Sequence, residues 1–194
     1  MSLRDQLREE TRAEHEALHE HGLLKPLLSA DLTFHNYILV LSAFHAFYSH
    51  AENISKSQRL TFQWESPVLD WLKKEGELWE LKNIKPQQKK DVFKTGCFSE
   101  YVGYLYFKQG STLGGRLIGK SLERSIGIRG GENGFFYYGF GDKTGQNWKA
   151  FEAFLQTHEN NINSKTAIEA AKACFTTLHD YFNQYETSKE LVSA

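Results

Sequence analysis

The stretch YVGYLYFKQGSTLGGRLIGKS, residues 101–121, decides how the chain folds, because its glycines fit either a loop or a helix. From Gly114 to Ser121 it matches the phosphate-loop spacing G-x-x-x-x-G-K-[ST], in which a strand ends in backbone N–H groups that surround phosphate. That loop needs a parallel sheet, and the sequence offers no second strand and no apolar run ending in an aspartate for magnesium. On a helix, at about 100° per residue, Gly103, Gly110 and Gly114 fall within about 40° of one another. We therefore predict a helix with a glycine stripe and keep a nucleotide hydrolase as a remote alternative.

The glycine stripe needs a purpose, because each glycine inside a helix costs about 1 kcal/mol relative to alanine. Two explanations stay open. A second helix packs very closely against the bare backbone, or a flat ligand lies on it. The spacing alone indicates only that something approaches closely.

The remaining sequence predicts an all-α protein with one domain over residues 1–194. With 194 residues, of which 40% are hydrophobic, the chain has the size of a single domain. Ser2 with Asp5 resembles a capping box, and Ser66 with Pro67 resembles an N-cap followed by a first-turn proline. Apolar periodicity predicts helices over 2–21, 33–53, 68–81, 99–126, 148–155 and 167–185, a further helix-compatible stretch after residue 86, a glycine-rich loop over 127–145 and a loose tail from about residue 187.

Composition excludes several classes of partner and site. Lys and Arg total 23 against 24 Asp and Glu, a net charge of -1, so we expect no nucleic-acid and no membrane partner. The two cysteines, Cys97 and Cys174, form no CxxC pair and fit free thiols in a reducing compartment. No apolar run approaches the ~18 residues of a membrane span. We predict a cytoplasmic protein.

A second motif, HEALH at residues 15–19, fits the zinc-protease spacing H-E-x-x-H. His15 and His19 would share the metal, and Glu16 would act as the base. The longer form H-E-x-x-H-x-x-G-x-x-H is met at Gly22 but has Lys25 where the third histidine belongs. A zinc hydrolase is therefore a remote alternative.

His15 lies at the edge of the apolar face that the leucines of the first helix define. Taken alone, that position is typical of a surface histidine. Arg8 is seven residues earlier and so lies on the same side, about 10 Å along the helix axis. This edge suits a ligand with a metal at its centre and carboxylates at its rim.

Four segments in order resemble the heme oxygenases. LREETRAEH (7–15) is similar to the first-helix pattern L-[KR]-x-x-T-x-x-x-H of that family, and YVGYLYFKQGSTLGG (101–115) to its distal-helix signature, in the G-S-x-L-G-G form of bacterial members. FFYYGFGDKTGQNWKAF (135–151) resembles the loop and following helix, and AAKACFTTLHDYF (170–182) the last helix. The resemblance covers most of the chain.

The resemblance implies an all-α heme oxygenase-like fold with heme between the first helix and the glycine-containing distal helix. Heme would be both cofactor and substrate, cleaved with O2 and electrons to biliverdin, CO and ferrous iron. An external electron donor such as a ferredoxin or a flavoprotein reductase would be required. The alternative is a heme carrier with the same fold that does not turn over.

The resemblance also implies residue roles. His15 would be the proximal iron ligand, with Glu14 or a backbone carbonyl orienting its other nitrogen. Gly110, Ser111 and Gly114 would form the catalytic distal face. The other heme-binding positions would be Gly115 on the distal helix, Arg8 and Lys149 at the propionates, and Phe175 and Phe182 against the ring.

Two positions depart from the family pattern. Many members have an aspartate where Ser111 stands, and a further basic position after Lys149 is occupied by Ala153. The first departure leaves the proton route open. The second leaves open which meso carbon of the ring would be attacked.

Overall fold

Within the described residues, 1–55, 62–79, 81 and 93–192, the computed structural model contains α-helices and no β-strands; side chains are described except at 116 and 188–192. The eight helices are α1 (Leu3–Glu10), α2 (Arg12–His19), α3 (Phe34–Ile54), α4 (Val68–Trp79), α5 (Phe98–Leu113), α6 (Gly115–Ile126), α7 (Thr144–His158) and α8 (Ser164–Val192). The all-α prediction is confirmed. Residues 110–121 lie in α5 and α6, so the strand that a phosphate loop requires is absent there.

The first predicted helix is capped as expected but is divided in two. The Ser2 hydroxyl accepts the Asp5 N–H at 3.2 Å. The helix breaks at the buried Thr11, whose hydroxyl donates to the Leu7 carbonyl at 2.8 Å. Such a bond to the preceding turn bends helices, and α2 then continues only to His19.

Helix α4 begins one residue later than a Ser66 N-cap predicts. Its first i→i−4 bond runs from the Trp71 N–H to the Pro67 carbonyl at 3.1 Å, so Pro67 takes the capping position. The Ser66 hydroxyl donates instead to the Gln109 side chain of α5. A bond between distant segments thus replaces the local cap.

The predicted helix over 99–126 divides at Gly114 into α5 and α6. The glycine-rich segment after α6 is irregular up to a 3-10 turn at Gly141–Lys143, and its last two predicted loop residues, Thr144 and Gly145, already belong to α7; the two last predicted helices are present as α7 and α8. The predicted stretch at 86–92 lies outside the described residues. Helix α8 continues to Val192, beyond the residue at which we expected a tail to begin. None of the helices described here is long and apolar enough to cross a membrane.

Helices α3, α5 and α8 form the centre of the fold, with α1 and α2 against α8, and α7 against α1 and α5. Buried aromatic rings join the three central helices: Phe107 of α5 lies 4.8 Å from Phe175 of α8 and 5.3 Å from Phe47 of α3, between ring centroids. The closest approach is at Gly103, where an added Cβ would lie 2.2 Å from the Ala167 carbonyl oxygen of α8. Close helix packing therefore explains one glycine of the stripe.

We expect Gly103→Ala to lower the free energy of unfolding by about 1–3 kcal/mol, because the α8 backbone must move to admit a methyl group. Gly110→Ala is the matched control in the same helix, since its added Cβ would meet no atom closer than 4.0 Å, at Trp148. There the better helix propensity should raise stability by up to about 1 kcal/mol. Urea denaturation measures both, and equal effects of the two substitutions would contradict this division.

Candidate functional site

His15 lies on the surface of α2, and its imidazole ring contacts an aromatic ring of α8. Its ring centroid lies 5.7 Å from that of Phe175, edge to face, and 4.4 Å from that of His19. The residue as a whole is exposed. These neighbours nevertheless remove water from its ring, and this desolvation, with the nearby His19, lowers the pKa of His15 against an opposing effect of Glu16. A lowered pKa favours the neutral imidazole, which is the form that binds metals.

The Nε2 of His15 pairs with another histidine, and the Glu14 side chain, which we expected at the other nitrogen, faces α8. The Glu14 carboxylate faces Lys172 of α8, with 4.0 Å between its Oε1 and the lysine Nζ. The His15 Nε2 instead lies 3.2 Å from the Nε2 of His19, one turn later. One of the two Nε2 atoms must donate and the other accept.

The predicted distal glycines do not share one environment. A Cβ added at Gly114 would have no neighbour within 4 Å, and one added at Gly110 would meet only Trp148, at 4.0 Å. At Gly115, in contrast, it would lie 2.2 Å from the Tyr137 carbonyl oxygen. Gly110 and Gly114 thus leave bare backbone in open space, whereas Gly115 admits the backbone of the glycine-rich segment.

Ser111 forms a polar pair with a residue that the sequence did not single out. Its hydroxyl donates to the Lys108 carbonyl at 2.8 Å and lies 3.2 Å from the Tyr48 hydroxyl of α3. Because the single Ser111 proton is used in the first bond, Tyr48 donates in the second. Burial raises the pKa of Tyr48 above its usual range and keeps it protonated for this role.

An exposed cation, Arg8, lies near the face of α5 that carries Gly110, and a second cation, Lys149, is exposed on α7. Burial raises the pKa of Tyr106, one turn before Gly110, and the nearby charge of Arg8 opposes that rise. Trp148, next to Lys149 in the chain, has its ring 6.2 Å from that of Tyr106. Neither Arg8 nor Lys149 forms an ion pair with a residue that the structure describes.

Phe175 and Phe182 lie on the same helix but in different surroundings. Phe175 contacts His15 and, with its ring 4.8 Å away, Phe107 of α5, so it joins the α2 side to the α5 side. Phe182 is fully buried, with ring contacts to Phe44 and His21 at 5.1 and 5.4 Å. It belongs to the interior beyond the site.

Comparison with known proteins connects this arrangement to a family. Residues 70–184 match the family model described as heme oxygenase. The chain belongs to the heme oxygenase family. It is 27% identical, over 146 residues, to a heme oxygenase from Xanthomonas campestris pv. campestris (strain 8004), covering 68% of this chain and 87% of that protein.

The fold agrees with this family assignment. The chain is similar to the crystal structure of heme oxygenase-1 from the cyanobacterium Synechocystis sp. PCC6803 in complex with heme, with a TM-score of 0.68. The similarity covers 97% of this chain and 94% of that one at 17% sequence identity, and it shows a common fold.

The zinc-protease motif does not assemble a three-ligand site. Among the residues that the structure describes, no group of three or more His, Cys, Asp or Glu side chains is placed to hold a metal ion. The motif lies on the surface helix α2, which packs against α8. The coordination that a zinc hydrolase requires is therefore missing from the described part of the chain.

Sequence reasoning did not single out Tyr48, Tyr106 and Trp148, which lie beside Ser111 or Gly110 in the candidate site. Tyr48 occurs in a helix that is apolar nearly all round, so no periodic signal distinguishes it. Trp148 and Tyr106 read as ordinary core positions. Tyr106 lies one turn before Gly110 in α5, whereas the proximity of Trp148 to Gly110 follows only from the packing of α7 on α5.

The segment between α6 and α7 is fixed by the buried carboxylate of Glu75 in α4. Its Oε2 accepts the backbone N–H groups of Phe135 and Phe136, each at 2.9 Å, and Tyr37 donates to its other oxygen. Burial raises the pKa of Glu75, and these hydrogen bonds oppose that effect. The anchor holds the backbone that meets Gly115.

We expect the stability of the protein relative to a Glu75→Gln variant to fall as the pH rises from about 4.5 to about 7. The folded pKa of Glu75 is raised above the ordinary value of 4.5, so the folded state binds this proton more tightly than the unfolded chain does. That contribution is present in full below the unfolded pKa and is lost as the pH rises through the folded pKa. Urea denaturation across this range measures the slope. If the stability of the wild type and of Glu75→Gln changed in parallel with pH, this role would be contradicted. The same would hold if the stability difference between the wild type and the exposed control Glu77→Gln changed with pH by the same slope.

Proposed function

We propose that this protein is a heme oxygenase that cleaves heme to biliverdin, CO and ferrous iron. The proposal is supported by the position of Phe175, which joins a histidine of α2 to the glycine-containing helix α5. His15 is a neutral, accessible imidazole beside Phe175, and Phe175 contacts α5, the helix that exposes bare backbone at Gly110 and Gly114. A flat macrocycle needs an axial nitrogen on one face and an unobstructed second face.

His15 would hold the iron through Nε2. The fit is supported by its accessibility and by the lowered pKa that keeps the ring neutral. To do so it must release His19, whose Nε2 lies 3.2 Å away. Phe175, edge to face with His15, would limit rotation of the imidazole and exclude water from that side.

The bare backbone of α5 would leave room for dioxygen on the opposite face. When bound, heme supplies the iron at which dioxygen is reduced and the ring carbon that is oxidised. Ser111 spends its proton on the Lys108 carbonyl and accepts from Tyr48, so its remaining lone pair can accept from a water molecule. We infer that an ordered water, which donates one hydrogen bond to Ser111, would direct its second proton towards the distal face.

Arg8 and Lys149 would bind the two propionates. Both are exposed cations, Arg8 near Tyr106 and Lys149 on α7, and charge-assisted hydrogen bonds to carboxylates are the strong kind. Ala153, one turn after Lys149, provides no third cation. These two cations would hold the propionate edge of the ring.

The proposed reaction would require an external electron donor, because the cleavage consumes electrons; a ferredoxin or a flavoprotein reductase fits this need. We further propose a cytoplasmic location, which the free thiols Cys97 and Cys174 support.

Titration with hemin followed by reduction in air tests the function. We expect a saturable Soret band, and then, on adding ascorbate or a reductase system, its loss together with growth of a broad red biliverdin absorbance. Such turnover needs His15 on one face of the ring and room for dioxygen on the other, as proposed. The products are read by absorbance, and the bilin is extracted for isomer analysis.

A His15→Ala, His19→Ala double variant is the control, because His19 lies close enough to replace a lost imidazole. It should lose the ferric spectrum of a histidine-ligated heme, and an unchanged spectrum would exclude α2 as the source of the ligand. A Soret band that persists in the wild type with each reductant would indicate a heme carrier.

Gly114→Leu should abolish at least about nine-tenths of the turnover while leaving hemin binding in place, because its side chain would fill the open space on the distal face. Gly145→Leu is the matched control, since that glycine also has no neighbour within 4 Å of an added Cβ but lies in the first turn of α7. Full turnover by the Gly114 variant would rule out a distal role for this backbone.

A further inference from the structure

The heme oxygenase function uses only one histidine of the HEALH motif and gives no role to the other. His15 and His19 occupy successive turns of α2, and their Nε2 atoms point at each other across 3.2 Å. We propose that His15 and His19 form a chelating site for a divalent transition metal ion such as Zn²⁺, and that this ion and heme exclude each other.

The separation of the two nitrogens is that of a metal chelate. Zinc–imidazole bonds are about 2.0–2.1 Å long. Two such bonds to nitrogens 3.2 Å apart enclose an angle of about 103° at the metal, close to the tetrahedral value of about 109°. In the metal-free pair one Nε2 carries a proton towards the other, and this proton moves to Nδ1 of the same ring when the metal binds.

The surroundings favour a cation and leave room for water. Both histidines are exposed, and their rings are set at 62° to each other with centroids 4.4 Å apart. Glu16, between them in the chain, is exposed and forms no ion pair with a described residue, so its charge stays available. The helix keeps its shape because Leu18 is buried. Water completes the coordination, since no third His, Cys, Asp or Glu joins the pair within the described ranges.

Exclusion follows from the shared nitrogen. The Nε2 of His15 that binds the chelated metal is the atom that the proposed function assigns to the heme iron, so one ion must leave before the other binds. This second step rests on the proposed function, whereas the chelate itself does not. Imidazole ligands suit copper, nickel and zinc, with copper bound most tightly.

Calorimetric titration of the untagged protein with ZnCl2 tests the site. We expect one zinc ion per chain, with an affinity that falls more than about tenfold in His19→Ala and in His15→Ala, because each loses one of two ligands. His35→Ala is the matched control, an exposed histidine of α3, and should bind zinc as the wild type does. Absence of saturable binding, or equal binding by His19→Ala and the wild type, would overturn the chelate.

A hemin titration in the presence of zinc tests the exclusion. With free zinc at ten times its dissociation constant, the apparent hemin dissociation constant of the wild type should rise about elevenfold. His19→Ala keeps His15 for hemin and should show no such rise. Zinc binding without any effect on hemin would overturn the exclusion. Failure of hemin to bind the metal-free wild type would overturn the proposed function, while the calorimetry still decides the chelate.

Discussion

The contact between α5 and α8 at Gly103 is the constraint on which the candidate site depends. Only a residue without Cβ allows the Ala167 carbonyl to come so close, and this spacing brings Phe107 against Phe175. Phe175 in turn contacts His15 on the other side of α8. The distance between α2, the proposed iron-binding helix, and α5 is therefore set inside the core, about two to three turns away from the glycines that would meet the ligand.

One helix thus uses glycine for two different physical reasons. At Gly103 the backbone of α8 occupies the space that a Cβ would fill. At Gly110 that space has only Trp148 as a neighbour, at 4.0 Å, and at Gly114 it is open. An exposed helical glycine costs about 1 kcal/mol and returns no packing energy. The structure tolerates that cost at the end of α5, where α6 begins and Gly115 meets the Tyr137 backbone.

Periodicity and capping predicted most helices, and the motif spacing indicated His15 and the glycine stripe. Local patterns could not separate Gly103 from Gly110, because both fall on one helical face and only the packed partner distinguishes them. Phe175 and Phe182 are likewise both apolar positions of α8, yet the first reaches His15 and the second is fully buried. Hydrogen bonds between distant segments were the hardest to predict from the sequence. The Ser66 hydroxyl, for example, donates to the Gln109 side chain of α5 instead of capping α4.

The α2 side of the candidate site is governed by the hydrogen bond between His15 and His19. Protonating both rings would place two positive charges with centroids 4.4 Å apart, so the pair disfavours the doubly charged form. Desolvation by Phe175 acts in the same direction on His15. A neutral imidazole is consequently available before any ligand arrives, but its Nε2 is already engaged. Binding of a metal centre there, as proposed, would exchange one N–H···N bond for a coordination bond.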